Sequence, residues 1–205
     1  MSAALPRRWF DRPSITVAPA LIGRHLVRRF PDGSQARVRI VETEAYRADD
    51  PASHSFRGPT ARNRTMFGSA GHLYVYLIYG MHHCLNVVTG GSDRASAVLL
   101  RAAEPLENLP MLAANRGVTD ARALCRGPGR LAQALAIDRS LDGIDLLTSD
   151  ELWIEPGTAV PRSRLDVTPR VGISVATERP WRWLEAGSRW TTTLTPRRAP
   201  GRRLS

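Results

Sequence analysis

Residues 38–46 read Val-Arg-Ile-Val-Glu-Thr-Glu-Ala-Tyr, a run whose β-branched and aromatic residues are typical of a β-strand. Because successive side chains of a strand point to opposite faces, the pattern predicts one face that changes from apolar to acidic. The residues expected on that face are Val38, Ile40, Glu42, Glu44 and Tyr46. A buried carboxylate costs free energy unless it is paired or hydrogen-bonded, so the two glutamates indicate either structural partners or a chemical role.

The sequence before this strand predicts its pairing partner. Residues 25–30 also have strand composition, and the turn sequence Pro-Asp-Gly-Ser at 31–34 separates them from residues 36–46. An Asp-Gly pair between two apolar runs is a strong hairpin signal. The two runs are therefore expected to pair antiparallel.

The rest of the chain alternates between strand-like and helix-like stretches. Further strands are expected at residues 72–78, 84–88, 96–101, 152–155, 171–176 and 190–194. The sequence Tyr79-Gly80-Met81 is expected to form the turn between the first two of these strands. One helix is expected at residues 14–25 and another from Gly127-Pro128 onward, since proline is favoured at the first helical position.

Length and composition predict the domain organisation. The chain has 205 residues with 42% hydrophobic content, which is enough for one compact domain with a hydrophobic core. We place this domain at residues 14–194, after an irregular segment at 1–13 and before a basic, disordered tail at 195–205. No stretch approaches the roughly 18 apolar residues that span a bilayer, and the first residues lack the apolar core of a signal peptide. A cytoplasmic protein that is neither membrane-bound nor secreted is therefore expected.

The charge of the chain predicts a polyanionic partner. The net charge is +10 and the sequence pI is near 11.1, which makes nucleic acid the first candidate. All 29 basic residues are arginine, because the chain contains no lysine. Arginine binds phosphate through two parallel hydrogen bonds, although a codon bias explains the same count without any function. The absence of lysine excludes Schiff-base chemistry through a lysine amine.

Cysteine and histidine give little indication of a metal or cofactor. Cys84 and Cys125 lack metal-ligand spacing and are expected to be buried, inert thiols. The histidines show no regular metal-binding pattern, so neither a metal site nor a cofactor is expected. The polar connection at residues 47–71 is a candidate functional loop, since connections of this length are uncommon unless they bind something.

Two pairs of residues are open to more than one interpretation. Strand alternation predicts that Tyr76 and Tyr79 point in different directions, either as a core aromatic and a turn residue or as parts of a binding site. Arg101 follows an apolar run much as Glu44 does. These two side chains would either form a structural ion pair or hold a water molecule by donating and accepting hydrogen bonds.

A series of longer motifs occurs in order along residues 18–192. They are Val41-Glu-Thr-Glu-Ala-Tyr46, Arg62-Asn-Arg64, Met66-Phe67, Leu73-Tyr-Val-Tyr-Leu-Ile-Tyr-Gly-Met81, Asn86, Leu99-Leu-Arg101, Ala103-Glu-Pro-Leu106, Gly127-Pro128, Gln133-Ala-Leu-Ala-Ile137 and Arg170-Val-Gly172. Together they resemble the alkyladenine (3-methyladenine) DNA glycosylase family, of the mammalian type in a bacterial-like form. The resemblance implies a mixed α/β (α+β) domain with a central antiparallel β-sheet, flanking helices and a protruding β-hairpin that inserts into DNA.

The resemblance also implies an activity. The expected enzyme is a monofunctional DNA glycosylase of base excision repair, which flips alkylated or deaminated purines out of duplex DNA and hydrolyses the N-glycosidic bond. Glu44 and Arg101 would position the attacking water. The residues that would hold the flipped base are Tyr46, His54, Tyr76 and Asn86. Flipping costs a few kcal/mol, and stacking on aromatic rings returns about 1–3 kcal/mol per base.

Further roles concern the contact with DNA. Tyr79 would fill the space left by the flipped nucleotide, with Met81 beside it. The residues that would contact the DNA backbone are Arg57, Arg62, Arg64, Gly127 and Arg130. Pro59 and Ala61 depart from the basic residue and proline of many relatives, so one phosphate contact is expected to be missing. The expected partner is double-stranded DNA containing damaged purines, bound by a monomer that leaves an abasic site without cutting the strand.

Three other functions fit parts of the sequence less well. A non-catalytic damaged-DNA-binding protein of the same fold would lack the water-positioning pair, whereas Glu44 and Arg101 are both present. A nucleotide- or RNA-binding module would explain the charge but does not require an acidic strand that ends at Tyr46. A glycoside hydrolase needs carboxylates on both sides of the sugar bond, and Glu42 and Glu44 lie on one strand.

Overall fold

The computed structural model describes residues 5–90 and 94–192 of the chain. The strands in these residues are β1 (His25–Arg29), β2 (Gln35–Tyr46), β3 (Leu73–Ile78), β4 (His82–Thr89), β5 (Ser96–Glu107), β6 (Leu152–Glu155), β7 (Leu165–Thr168) and β8 (Arg182–Glu185). The α-helices are α1 (Arg7–Phe10), α2 (Ser14–Leu21), α3 (Leu109–Arg116), α4 (Ala121–Leu124) and α5 (Pro128–Ala134). Short 3-10 helices lie at Arg64–Phe67, Arg139–Leu141 and Arg162–Arg164.

All the strands belong to one antiparallel sheet. Its main path runs β3-β4-β5-β2-β1-β6, and β8 pairs with both β2 and β7. Strand β2 is the centre of this arrangement, because it pairs with β5 along one edge and with β1 and then β8 along the other. The predicted hairpin of β1 and β2 is present, with His25 opposite Arg39 and Arg29 opposite Gln35. The expected single domain with a mixed α/β (α+β) fold and a central antiparallel sheet is therefore confirmed.

A break in the register of β2 decides which side chains face the core. The pairing with β5 shifts on both sides of Glu42, as in a β-bulge. As a result Ile40 and Ala45, an even and an odd position, both pack in the main core, whereas Val41 packs in a separate small cluster. The prediction that all even-numbered residues from 38 to 46 share one face is therefore wrong. The bulge places Glu44 on the face opposite the core that Ile40 enters.

Helix α2 covers the core face of β2. Thr43 Oγ1 donates a hydrogen bond to the carbonyl of Ala18 over 2.9 Å, which joins the helix to the strand next to Glu44. Because neighbouring side chains of a strand alternate, the carboxylate of Glu44 points away from α2. Helix α5 packs against β4 at the other end of the sheet. The face of β2 that carries Glu44 is thus left open for a cavity.

Some local predictions differ from the structure. The segment 1–13, expected to be irregular, contains helix α1, whose Phe10 is buried in the main core. Residues 171–176, expected to be a strand, form bends instead, and the strands of this region are β7 and β8. Residues 190–192 are not in a strand either. The predicted tail at 195–205 lies outside the described residues, and the limits of the domain stay a prediction.

Candidate active site

A cavity of about 670 Å³ opens beside the β3–β4 hairpin. Its walls come from the end of β2, from β3, β4 and β5, from the start of α5 and from residues 171–173. The predicted site residues that line it are Glu44, Tyr46, His54, Tyr76, Tyr79, Asn86, Arg101, Gly127 and Arg130. The fold therefore brings these predicted catalytic and base-binding residues into one place.

Glu44 is fully buried at the inner end of this cavity, and both of its oxygens accept hydrogen bonds. The backbone N–H of Val171 donates to Oε1 over 2.9 Å, and the phenol of Tyr46 donates to Oε2 over 2.9 Å. Arg101 Nη1 lies 3.5 Å from Oε1. Donors on both oxygens hold the carboxylate in a fixed orientation.

Arg101 joins two carboxylates. Its Nε lies 3.1 Å from Glu42 Oε1, and its side chain is only 12% exposed. Glu42 itself is fully buried and does not line the cavity. It also accepts from Arg182 Nε over 2.7 Å and from the backbone N–H of Thr192 over 2.6 Å. Apart from Arg101, the partners of Glu42 thus lie outside the cavity lining, whereas those of Glu44 belong to it.

The ring of Tyr46 forms part of the cavity wall and is held from behind by an arginine. The guanidinium carbon of Arg170 lies 4.6 Å from the ring centroid of Tyr46. Burial, followed by the charge of Glu44, raises the pKa of the Tyr46 phenol well above its ordinary value. The phenol therefore stays protonated and remains a donor to Glu44.

His54 and two tyrosines of β3 form a second wall. The ring of His54 packs edge-on against Tyr76, with 4.4 Å between centroids, and its Nδ1 is 3.0 Å from the hydroxyl of Tyr74. Burial and the nearby charge of Arg62 lower the pKa of His54, which favours the neutral imidazole. Burial also raises the pKa of Tyr74 to about 12 and raises that of Tyr76. This wall is therefore aromatic and uncharged.

Asn86 lies at the buried end of the cavity, on β4 between β3 and β5. It is opposite Tyr74 on one side and Leu99 on the other, and its Nδ2 donates to the carbonyl of Tyr74 over 3.3 Å. Cys84, two residues before it on the same face, also lines the cavity. Burial raises the pKa of this thiol, so it stays protonated. The expectation of a buried thiol at position 84 is confirmed.

The β3–β4 hairpin places an exposed tyrosine at the cavity mouth. Tyr79 and Gly80 both have positive φ, of 53° and 69°, and the N–H of Met81 donates to the carbonyl of Ile78 over 3.2 Å. A positive φ is uncommon for a bulky residue and costs of order 1–3 kcal/mol. The side chains of Tyr79 and Met81 are 77% and 70% exposed, and Met81 does not line the cavity.

The predicted backbone-contact arginines have different surroundings. Arg57 and Arg64 are exposed and lie outside the cavity lining. Arg62 is also exposed, but its Nη2 donates to the carbonyl of Leu77 over 2.8 Å, which joins the preceding loop to the hairpin. Arg116, which the sequence did not indicate, lines the cavity together with Arg130. Burial and the charge of Arg130 lower the pKa of Arg116.

The sequence did not indicate the contribution of residues 170–171 or of Asp50. Val171 acts through its backbone N–H, and Arg170 is buried behind Tyr46 with Asp50 as its partner. A backbone donor has no residue-type signature, and Asp50 belongs to a loop that appears only polar in the sequence. The motif Arg170-Val-Gly172 is the one signal that marked this segment.

Neither a metal-binding cluster nor a membrane-spanning helix occurs in the described part of the chain. No group of three or more His, Cys, Asp or Glu side chains there is placed to hold a metal ion. Within the same residues, no helix has both the length and the apolar character needed to cross a membrane.

The chain is similar to one family over most of its length. A family model described as methylpurine-DNA glycosylase matches residues 8–189. A protein from Rubrobacter xylanophilus is 50% identical over 184 residues, which cover 90% of this chain and 94% of that protein. Proteins from Burkholderia lata and Methanocella arvoryzae are 48% identical over 200 residues and 45% identical over 202 residues, each over 96% of this chain and 94% and 98% of their own lengths. All three bear provisional names as 3-methyladenine DNA glycosylases.

Proposed function

This chain belongs to the methylpurine-DNA glycosylase family, and we propose that it flips damaged purines out of duplex DNA and hydrolyses their N-glycosidic bond. The damaged purine would be alkylated or deaminated, and the product would be an abasic site. The cavity supports this proposal, because it combines aromatic walls, a buried carboxylate and an exposed residue at its mouth.

The observation that carries the proposal is the environment of Glu44. Its two oxygens are bonded to Val171 and Tyr46, and Arg101 provides a positive charge at 3.5 Å. In this arrangement Arg101 would donate a hydrogen bond to a water molecule, and the carboxylate of Glu44 would accept a proton from that water. The water oxygen attacks the anomeric carbon of the sugar, the bond to the purine nitrogen breaks, and the electron pair of that bond leaves with the base. The charge of Glu44 also stabilises the positive character that develops on the sugar.

The walls of the cavity suit a flipped purine. Tyr46, Tyr76 and His54 offer ring faces and edges, and each stacked base gains about 1–3 kcal/mol. An alkylated purine with a positive charge is also attracted to electron-rich rings. Because the pKa of His54 is lowered, its neutral imidazole does not repel such a base. Asn86 would exclude normal guanine by contact with its exocyclic amino group.

Base release tests this function directly. Duplexes that contain one hypoxanthine, ethenoadenine or 3-methyladenine are incubated with the wild type and with Glu44→Gln, and the free base is measured. We expect release of at least one base by the wild type, and a loss of about 10²–10⁴ in rate for Glu44→Gln. If the wild type binds abasic DNA but releases none of the three bases, the non-catalytic damaged-DNA-binding function replaces this one.

Four further properties belong to the same proposal. The protein would act as a monomer, in the cytoplasm, on double-stranded DNA. It would stop at the abasic site, because a chain without lysine has no lysine amine to form a Schiff base with the sugar. Size-exclusion chromatography of the protein with and without a lesion duplex tests the monomeric state.

A further inference from the structure

Asp50 and Arg170 form an ion pair in which both side chains are fully buried. Arg170 Nη2 donates to Asp50 Oδ1 over 3.0 Å, and Nη1 contacts Oδ2. The same Nη1 donates to the carbonyl of Ala45 over 3.0 Å, next to Tyr46 in β2. Neither side chain lines the cavity. The pair therefore lies behind the wall of the cavity and joins the loop at residues 47–71, which contains Asp50, to β2.

Stability alone is a poor reason for such a pair. Two charges lose their hydration on burial, and well-packed apolar residues in their place are often as stable or more stable. Arg170 Nε is moreover buried without a hydrogen-bond partner among the described residues. A buried donor that is left unsatisfied costs about 1–3 kcal/mol. Burying this pair therefore costs free energy that an apolar pair in the same place would not cost, so a role other than stability is indicated.

Arg170 lies next to both groups that donate hydrogen bonds to Glu44, the phenol of Tyr46 and the backbone N–H of Val171. The guanidinium carbon of Arg170 lies 4.6 Å from the ring centroid of Tyr46 and 5.2 Å from that of Trp181, so the planar group lies close to both rings. The next residue, Val171, donates its backbone N–H to Glu44 over 2.9 Å. The phenol of Tyr46 donates to the other oxygen of Glu44. Fixing Arg170 therefore fixes both donors to Glu44.

We propose that Asp50 and Arg170 are positioning residues for base release. They hold the ring of Tyr46 where it stacks on the flipped base and hold the N–H of Val171 where it orients the carboxylate of Glu44. The Asp50–Arg170 ion pair thus positions both the residue that stacks on the base and the residue that activates the water, although neither Asp50 nor Arg170 touches the substrate. This proposal rests on the proposed glycosylase function. A displacement of about 1 Å in a catalytic group can reduce a rate by about 100-fold, which gives the expected size of the effect.

The test compares variants that separate charge, geometry and stability. Asp50→Leu combined with Arg170→Met removes both fully buried charges; Arg179, whose Nη1 lies 3.8 Å from Asp50 Oδ1, is 30% exposed, so the protein is expected to fold. Arg170→Lys keeps the charge but loses the planar, two-point contact and the stacking on Tyr46. Arg37→Met is the matched control, because the pair of Arg37 with the buried Glu155 lies outside the cavity lining.

Four quantities are measured for each variant: the free energy of unfolding, the affinity for a duplex with ethenoadenine, the single-turnover rate of base release and the fluorescence of bound ethenoadenine. The fluorescence of bound ethenoadenine reports its stacking. We expect the double variant and Arg170→Lys to fold and bind DNA but to release base about 10- to 100-fold more slowly, with less stacking. Arg37→Met is expected to lose stability while its release rate stays at the wild-type value.

Two results would overturn the proposal in distinguishable ways. If the wild type releases base and the folded double variant releases it at the same rate, the pair is only structural. The glycosylase function would then stand. If Arg170→Lys releases base at the wild-type rate with wild-type stacking, the planar contact of Arg170 does not position the site, and the proposal is again overturned while the glycosylase function stands. No release by the wild type, on any of the three damaged bases, would instead remove the glycosylase function on which the proposal rests.

Discussion

Arg101 lies closer to Glu42 than to Glu44: its Nε is 3.1 Å from Glu42 Oε1, whereas its Nη1 is 3.5 Å from Glu44 Oε1. The carboxylate that orients this arginine most directly is therefore one that does not line the cavity. Glu42 is in turn held by Arg182 and Thr192, which belong to the last part of the described chain. Arg182 and Thr192 are thus connected to the proposed water-binding pair, Glu44 and Arg101, through the buried Glu42.

This arrangement predicts a large effect of Glu42→Gln. The substitution removes the counter-charge of the buried Arg182 and leaves Arg101 paired only with Glu44, and breaking a buried pair costs about 3–5 kcal/mol. The free energy of unfolding in urea is expected to fall by an amount near the lower end of this range, because glutamine keeps some hydrogen bonds. Base release at a temperature where the variant is folded is also expected to slow.

Glu151→Gln is the control for this prediction. Its carboxylate is 58% exposed and pairs with Arg28 at 3.1 Å, far from the cavity lining. Arg28 is buried, but water solvates Glu151, so the loss is expected to lie between the roughly 0–1 kcal/mol of an exposed pair and the cost of breaking a fully buried one. If Glu42→Gln is no less stable than Glu151→Gln, the buried network of Glu42 does not stabilise the fold as we argue.

The absence of lysine makes the stability of this protein at alkaline pH unusually simple to interpret. Arginines stay charged there, so tyrosines and thiols are the side chains that titrate between about pH 8 and pH 11. Burial raises the pKa of both cysteines, to about 12 for Cys125, and it raises the pKa of the three cavity tyrosines. These tyrosines are Tyr46, Tyr74 and Tyr76.

The sign of the pH effect follows from these directions. As the pH rises through the ordinary pKa values of thiols and phenols, about 8.5 and 10, the unfolded chain releases protons that the folded chain keeps. The folded state then binds more protons, so the free energy of unfolding falls as pH rises. Below about pH 8 these groups are protonated in both states and contribute no pH dependence.

Urea unfolding at about pH 8, 9.5 and 11 measures this loss of stability. Tyr46→Phe removes the phenol next to Glu44, whose pKa is raised by burial, so the free energy of unfolding of this variant is expected to fall less between the two upper pH values than that of the wild type. A free energy of unfolding that stays constant over this range would contradict the buried, protonated state of these groups.

The sequence predicted those parts of the fold that depend on local patterns. The hairpin of β1 and β2 follows from an Asp-Gly turn between apolar runs, and the turn at Tyr79-Gly80-Met81 follows in the same way. Residue type then indicated Glu44, Arg101 and the tyrosines as chemical groups. The family resemblance added their roles, and the cavity brings them together.

The features that sequence reasoning missed depend on distant contacts. The bulge beside Glu42 shifts the alternation of β2, and a one-residue shift moves every following side chain to the other face. Residues 171–176 have strand composition but form bends, because this segment is held by Arg170 and by the contact of Val171 with Glu44. Neither effect is visible in a local pattern, since Glu42 lies opposite Ala102, and residues 170 and 171 contact Ala45 and Glu44 from the other end of the chain.

The positive φ of Tyr79 allows the role of its ring to be separated from the role of its backbone. Tyr79→Gly removes both the ring and the strain, whereas Tyr79→Ala removes the ring and keeps a residue that also disfavours this conformation. We expect the glycine variant to be more stable than the alanine variant by about 1 kcal/mol. If the ring fills the space of the flipped nucleotide, both variants release a paired lesion more slowly than the wild type.

The matched substrate is the same lesion in an unpaired bubble, where no base pair has to be broken. Both Tyr79 variants are expected to release this base at nearly the wild-type rate. Equal losses on paired and unpaired lesions would show that Tyr79 acts on chemistry or folding and not on flipping.

The absence of lysine predicts an abasic site in an intact strand as the product. Glycosylases that cut the strand do so through a Schiff base between an amine and the opened sugar, and this chain has no lysine to supply one. Treatment of the reaction with borohydride is therefore expected to trap no covalent protein–DNA adduct, although base release is complete. The strand is expected to stay intact until the abasic site is cleaved by alkali. A trapped adduct would point to another amine of the chain and would end the assignment as a monofunctional glycosylase.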